Sequence, residues 1–420
     1  MVLFLAKPET YQPNFSGSVM KIASHCQILR SVIAFAAVAS SLAIYAQAQT
    51  FATLAVFGGE DGLGPNGLMQ AADGNFHGTT YEGGSGKHGT VFKVNASGEL
   101  TTLHSFCSQP RCFDGAFPVG GVLQSSDGDL YGVTAGGGIY GYGTIFKIGQ
   151  DGGLITLHSF NGVDGSAPLG KLVQGSDGNF YGTTYTVSTV FEITPGGAFK
   201  TLYVFCDQKS GCGNGPSGQL LQATDGNFYG TTQFGGVNRW GTIFRITPQG
   251  RLTTLHSFCS QTNCADGAQP IAGVVQGSDG NLYGNSWAGG GQSNGFGTTF
   301  KITLAGVLTT LYRFNGIDGS FPLALVRATD GNLYGTTEVG GRSTNCLSGC
   351  GTVFKMSPAG VLTSLHSFYQ TENGNGEEPD GLVQATDGRF YGVTYVGPQG
   401  PCSFYGCGTV FTLDMGLAAN

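Results

Sequence analysis

Charge is what this chain is short of. Only 11% of its 420 residues are Asp, Glu, Lys or Arg, against about 25% in an ordinary globular protein. The formal charge is −7, and the clustered Lys and Arg that nucleic acid or anionic lipid would require are missing. Those two partner classes are excluded. Disorder is excluded too, because 40% of the residues are hydrophobic, which is ample for a core. Catalytic signatures are equally scarce: no nucleophile elbow, His-Glu-x-x-His or phosphate loop is expected. The many Gly-Gly pairs lie in connections between strand-like runs and mean turns, not nucleotide binding.

Long apolar runs are also lacking, with one exception near the amino end. Lys21 and Arg30 flank the approach to a mostly apolar run over 32–44, and Ala46-Gln47-Ala48 follows as a small-residue cleavage pattern. Residues 1–48 read as a secretory signal cut before Gln49, with Met20 as an alternative start. The run is short for a membrane span, so an uncleaved anchor is the lesser reading. Cys26 would leave with the signal. The other ten cysteines fall into close couples: Cys107/Cys112, Cys206/Cys212, Cys259/Cys264, Cys346/Cys350 and Cys402/Cys407. An even count in near-neighbour pairs implies disulfides formed in an oxidising, extracellular or periplasmic compartment. Each closes a very short loop, worth about 2 kcal/mol in the chain-entropy picture, so they stiffen loops more than they hold the fold. Variable spacing and the absence of an accompanying His argue against zinc.

What the chain has in abundance is glycine, 74 residues of it, and a repeat. The stretch GQLLQATDGNFYGTT (218–232) turns at Asp225, and six further versions turn at Asp73, Asp127, Asp177, Asp279, Asp330 and Asp387. The turns recur every 48 to 57 residues, a period that points to propellers or repeat arrays. Four strand signals follow one another in each unit. In the fourth unit they are a (219–223), b (227–232), c (242–247) and d (252–258). Asp225-Gly226 between a and b is a two-residue hairpin turn, Pro248-Gln249-Gly250 between c and d is another tight turn, and the alternation in Thr352-Val353-Phe354-Lys355-Met356 gives strand c one apolar face. The unit is a four-stranded antiparallel meander.

The ends decide between an open array and a ring. The last unit stops after strand c (409–413), while residues 51–57 form an orphan that aligns with the d strand at 100–106. Six complete units, one three-stranded unit and one spare strand make seven fours. The expectation is an all-β, seven-bladed propeller over 49–415, its last blade closed by strand 51–57, with 416–420 as a short tail. An open solenoid would need polar capping repeats, which are not visible.

The recurring D-G-N-F-Y-G-T-T, G-T-V-F-K-I and L-T-T-L-H-S-F resemble the GloVer-type tandem-repeat family of exported bacterial proteins, over 51–413. The resemblance implies export and the repeat unit, and supplies no catalytic residue. Some relatives carry a carboxy-terminal sorting anchor; 414–420 contains none, which implies release.

In an up-and-down meander the b–c and d–a connections share one face, and it collects the long segments and every cysteine pair. Function on loops above a rigid frame makes it the candidate binding face. Three features stand there. A recurring D/N-G-x-x-P starts at Asp61, Asp114, Asp164, Asp266, Asp318 and Asn375, with Asn214-Gly215-Pro216 as a shortened form. In a ring these would set carboxylates around one channel mouth, able to meet calcium or sugar hydroxyls, or they are simply turn formers. Aromatics decorate the b–c loops: Tyr140, Tyr142, Tyr185, Phe234, Trp240, Trp287, Phe296, Phe404 and Tyr405. They form a platform for a sugar face or a peptide, or pack between blades. The third blade's short b–c connection leaves a gap in the rim. Finally His104, His158, His256 and His366 recur in strand d, where other units carry Tyr203, Tyr312 and Ala55. Catalysis needs one distinct constellation, so these read as packing positions. His77 and His88, each confined to one blade, are the better candidates.

The reading is a secreted, monomeric binding or scaffold propeller that engages a glycan or another extracellular protein. It has no catalytic residue, resident metal or cofactor, and calcium is left open. The alternative is a propeller enzyme, a lyase or glycan-cleaving protein, since the D-G-N-x-aromatic turns are similar to those of the virginiamycin lyase type.

Overall fold

A computed structural model describes residues 49–205, 213–291, 295–343, 346, 348–369, 375–397 and 407–419. The proposed signal, the Cys206/Cys212 couple, Cys402, Phe404 and Tyr405 lie outside them. Residues 49–420 form one compact unit, a ring of seven four-stranded antiparallel sheets.

The first blade shows the pattern: strand a Leu63–Gln70, b Phe76–Glu82, c Thr90–Val94 and d Leu100–Ser105, hydrogen-bonded in that order. The seventh uses Glu377–Gln384, Phe390–Val396 and Thr409–Asp414, then takes Thr50–Val56 as its outermost strand, paired antiparallel from Thr50↔Asp414 to Val56↔Thr409. The expected closure is what the chain does.

Three residue relationships explain why each unit repeats the same letters. In strand b the glycine of F-Y-G-T-T lies beneath the Phe of strand c. A Cβ at Gly78, Gly132, Gly182, Gly230, Gly284, Gly335 or Gly392 would stand 2.4 to 2.7 Å from that ring, which no real contact tolerates. The second Thr of b, or Ser286 in blade five, meets the Thr that opens strand c. The seven hydroxyl pairs, from Thr80/Thr90 to Thr394/Thr409, span 2.7 to 2.9 Å in the buried interior, so each of these hydroxyls entering the core brings its own partner. Between blades, where the next strand b opens with Phe, the strand-b Tyr packs face to face on that ring, as in Tyr131/Phe180 with ring centroids 4.1 Å apart. The Tyr hydroxyl turns back to the hairpin carboxylate, Tyr181 Oη donating to Asp177 Oδ2 at 2.7 Å.

The two faces separate as expected. On one, Gln150 of a c–d turn donates to the Asp127 carbonyl of an a–b turn at 2.8 Å. On the other, b–c and d–a connections touch, with Tyr142 lying against Gly162. The inner a strands of all seven blades line a central channel of about 730 Å³.

Candidate functional site

The carboxylates of D-G-x-x-P do not gather around this channel, and none of them lines it. Asp114, Asp164 and Asp266 turn outward to strand d and join the repeated histidines, so two features that looked separate in sequence are one there; Asp61, with Ala55 in the histidine's place, accepts the Gly58 amide at 2.7 Å instead. His104 Nε2 meets Asp114 Oδ2 at 3.1 Å, His158 meets Asp164 at 3.0 Å and His256 meets Asp266 at 3.1 Å. Tyr312 donates to Asp318 in blade five, and His366 faces Asn375 in blade six. Asp266 also accepts from Ser260 Oγ at 2.7 Å and from the amides of Ser260 and Gln261 at 3.0 and 3.2 Å. Burial pushes its carboxyl up, but these donors outweigh burial and hold it down at about 2. Burial keeps His158 low despite Asp164 beside it. At Asp114 and Asp266 both carboxylate oxygens already accept hydrogen bonds from the protein. The shortened form at Asn214 is also corrected. Gly213, not Gly215, takes the Asp-Gly glycine's place, since a Cβ there would meet Thr232 and Thr242 as one on Gly319 meets Thr337 and Thr352. Cys212, outside the described residues, stands where the other units have Asp or Asn.

Among the described residues the expected cysteine couples form. Cys107/Cys112, Cys259/Cys264 and Cys346/Cys350 are disulfides, and Cys407 is also bonded. Loop stiffening is the role their short spacing implies, and Cys264 shows the contacts such a loop makes. It ends the single 3-10 turn Thr262–Cys264 with a φ of 51°, and its carbonyl accepts the amides of Gly267 at 2.8 Å and Gly290 at 2.9 Å. Gly267 belongs to the same d–a connection, but Gly290 lies in the b–c connection of the next blade. The Cys264 carbonyl therefore ties two loops together, as the carbonyls of Gly59 and Gly316 do in loops without a crosslink, where they accept Gly84 and Gly341 at 3.0 and 2.9 Å. Cys112 does the same for Gly115 and Gly138, at 2.9 and 2.8 Å. The clusters His88/Cys107/Cys112 and Cys346/Cys350/Glu377 present no thiolate for a metal.

The aromatic platform divides in two. Tyr140, Tyr142 and Trp240 are exposed on the outer loops, and Phe296 packs over Gly316. The residue just before the Gly-Thr of strand c works through its backbone. The carbonyls of His88, Tyr142, Trp240, Phe296 and Cys350 accept from the amides of Phe117, Ala167, Gln269, Phe321 and Glu378 in the next blade, at 2.7 to 3.1 Å. Each of those five amide donors, the residue just before the D-G-x-x-P proline, has a φ between 52° and 59°, strained for any non-glycine residue.

That strain builds a second, inner ring, of which the sequence pointed to Tyr185 and Trp287 but not to Tyr81, Tyr395, Phe117 or Phe321. At the channel mouth the last residue before each b–c connection meets the positive-φ residue of the next blade. Trp287 stacks on Phe321 with centroids 4.2 Å apart, and its Nε1 donates to Glu338 Oε2 at 2.8 Å. Tyr81 lies 5.2 Å from Phe117, which also meets His88 at 5.1 Å. Tyr185 Oη donates to Gln233 Oε1 at 2.6 Å, and Tyr395 covers Gly64. Between blades two and three both members are alanine, Ala135 and Ala167, so the collar is low there. This is beside the short third-blade connection whose gap the sequence marked. A two-residue recurrence, the position after T-T and the one before Pro, was the signal available.

Below the collar the wall is mainly apolar side chains and backbone, with Lys171 and Asp380 as its charges. Burial lowers the Lys171 ammonium to about 8 and raises the Asp380 carboxyl, which the Gly67 and Gly381 amides only partly offset. Glu378 is pushed up by burial and by neighbouring Glu338 and Glu377.

Histidine lines no part of the channel among the described residues. His77 occupies the strand-b Tyr position of blade one, buried with Nδ1 unpaired among the described residues, its pKa lowered by burial. His88 Nδ1 donates to the Gly86 carbonyl at 2.6 Å. One stretch, 291–295, does spell Gly-x-Ser-x-Gly. It connects two strands rather than a strand and a helix, and 292–294 lie outside the described residues. No described helix is long and apolar enough to cross a membrane.

Residues 40–222 and 216–418 each match the Gloeobacter/Verrucomicrobia repeat. No curated protein matches the chain. Among solved structures, a catalytically inactive variant of virginiamycin B lyase from Staphylococcus aureus with quinupristin is similar at 17% identity, TM-score 0.59, over 87% of this chain and 99% of that one. The selenomethionine-substituted lyase is similar at 16% identity, with the same TM-score and coverage. At such identity the likeness is one of fold.

Proposed function

The chain belongs to the Gloeobacter/Verrucomicrobia repeat family, and on that premise we propose that it is an exported binding propeller that takes a glycan at the channel mouth. The observation that carries this reading is the collar. Trp287, Tyr81, Tyr185 and Tyr395 present flat apolar faces beside Gln233, Gln269, Glu338 and Glu378. This is the mixture of ring surface and fixed hydrogen-bonding groups that sugar recognition uses. The outer aromatics Tyr140, Tyr142 and Trp240 extend the surface on the same face. Three complete disulfides among the described residues favour an oxidising compartment. Against the enzymatic reading, His88 is tied to its own loop and His77 is buried outside the channel.

The test is a polysaccharide array followed by calorimetry on the best binder. Trp287→Ala and Tyr395→Ala are expected to weaken binding at least tenfold, with Val361→Ala on the opposite face neutral. An array on which the folded protein retains nothing would sink the glycan reading.

A further inference from the structure

The channel under the collar carries a charge arrangement that a neutral sugar leaves unmatched. Its wall is made of seven edge strands, each paired on one side only. In blades one, six and seven the proline of strand a is followed by one residue, a Gly or Ala, then Leu, as in Pro379-Asp380-Gly381-Leu382. Blades two to five carry one residue more, and in blade three, Pro168-Leu169-Gly170-Lys171-Leu172, that residue is a lysine. The insertion delivers an ammonium to the channel wall. The Lys171 side chain has no hydrogen bond or ion pair among the described residues. Lys171 is half-buried on the channel wall, where an ammonium without a protein partner is placed to meet an anionic group of a ligand.

Asp380 stands on blade seven, on the other side of the ring, with two blades between it and Lys171 one way and three the other. It accepts the Gly67 amide at 3.4 Å. Glu338 and Glu378 belong to the collar on the same side, whereas the collar on the Lys171 side is the low sector of Ala135 and Ala167. Acid therefore sits on blades six and seven, and the one wall cation among the described residues on blade three. A polyanion would satisfy Lys171 and face the acids, and a polyamine would do the reverse. A ligand with a carboxylate and an ammonium several bonds apart satisfies both. The unpaired edges add backbone N–H and C=O groups, the natural partners of amide bonds, and about 730 Å³ is within the usual span of small-ligand sites.

We propose that the channel binds a short peptide with both ends free, its carboxylate on Lys171 and its amino terminus on Asp380. The site adjoins the glycan surface, with Tyr81 and Tyr395 common to both, but it takes its two charged anchors from other residues.

Trialanine, N-acetyl-trialanine and trialaninamide, titrated by calorimetry into the whole protein at pH 6.5, separate the two ends. Trialanine is expected to bind, and each blocked form to bind at least tenfold more weakly. Lys171→Met should weaken trialanine about tenfold and leave trialaninamide unchanged; Asp380→Asn should do the same to trialanine while leaving N-acetyl-trialanine unchanged. Lys171→Arg, which keeps the charge, should retain most of the binding. Unaltered thermal unfolding of Lys171→Met, with Lys171→Gln as a second variant, establishes that the fold is intact. Absent binding, equal binding of all three probes, or indifference to Lys171→Met overturns the proposal. Glycan binding that survives Lys171→Met would leave the collar reading standing when this one falls.

Discussion

The backbone amide of Thr386 in the last blade donates to Gln70 Oε1 in the first at 2.8 Å, across 316 residues of chain. The same contact joins ordinary neighbours: Ala72 to Gln124, Ser176 to Gln222, Thr224 to Gln276 and Thr329 to Gln384, at 2.8 to 3.0 Å. Blade six has Arg327 in the glutamine's place. The seam between the chain's ends is thus built like the seams within it. A Cβ on Gly408 would lie 2.2 Å from Pro65, as one on Gly351 would lie 2.5 Å from Pro379.

Stability should therefore depend on the closing strand. Phe51 stacks on His366 with centroids 3.8 Å apart and also meets Phe411. Phe51→Ala is expected to cost about 2 kcal/mol, and Gln70→Ala about 1 kcal/mol, as shifts in the urea midpoint at constant slope. An unchanged midpoint for Phe51→Ala would mean the amino-terminal strand does not hold the ring.

The strand-b glycines should resist substitution for a packing reason. A Cβ on Gly182 would stand 2.5 Å from Phe191 and 3.0 Å from Leu172, so Gly182→Ala should lose about 2 to 3 kcal/mol and recover part of it when combined with Phe191→Leu. Gly178 has open space but a φ of 84°, so Gly178→Ala should cost only about 1 kcal/mol. Equal losses, with no rescue, would show that backbone strain rather than ring contact governs both sites.

Acid should loosen the fold in two steps. His366 is lowered by burial to about 4, below the roughly 6.5 of an unfolded chain, so the unfolded state binds the extra proton. Its contribution is complete above about 6.5 and is lost as pH falls through about 4. Asp266, held at about 2 against about 3.9 unfolded, contributes about 2 kcal/mol that is complete above about 4 and lost as pH falls through about 2. Unfolding free energy measured from pH 7 to 2.5 should slope in both windows. His366→Gln should flatten the upper one and Asp266→Asn the lower. A slope unaltered by either change would contradict these assignments.

At the loop-face corners the carboxylate should outweigh the disulfide. Cys107 and Cys112 are five residues apart, and Cys107→Ser with Cys112→Ser should cost about 2 kcal/mol or less. Asp114, fully buried, takes Ser108 N, Ser108 Oγ, Gln109 N and His104; Asp114→Ala strands all four and should cost about 3 kcal/mol or more. Thermal melts of the two variants give the order directly, and the reverse order would make the crosslink the structural element.

Blade number, strand order and closure were legible in the chain itself. Those properties follow from local periodicity and from counting: a two-residue turn selects a hairpin, alternation selects a strand, and the phase of Thr50–Val56 against Thr409–Asp414 leaves one way to finish a ring. The sharing of two faces between alternate connections followed from the same topology. Which way a side chain points after its strand ends did not follow. Asp114 and His104 are ten residues apart, on different elements, and only the turn between them brings them together and turns the carboxylate away from the channel. The pairing of Cys259 with Cys264 was legible from spacing, but the carbonyl of Cys264 finds Gly290 only once the next blade has folded beside it. The collar required five non-glycine residues at positive φ, from Phe117 to Glu378, a conformation their residue types do not advertise. Lys171 could be named from sequence but not assigned a place, because its meaning comes from facing Asp380 across a ring that exists only once all seven blades have closed.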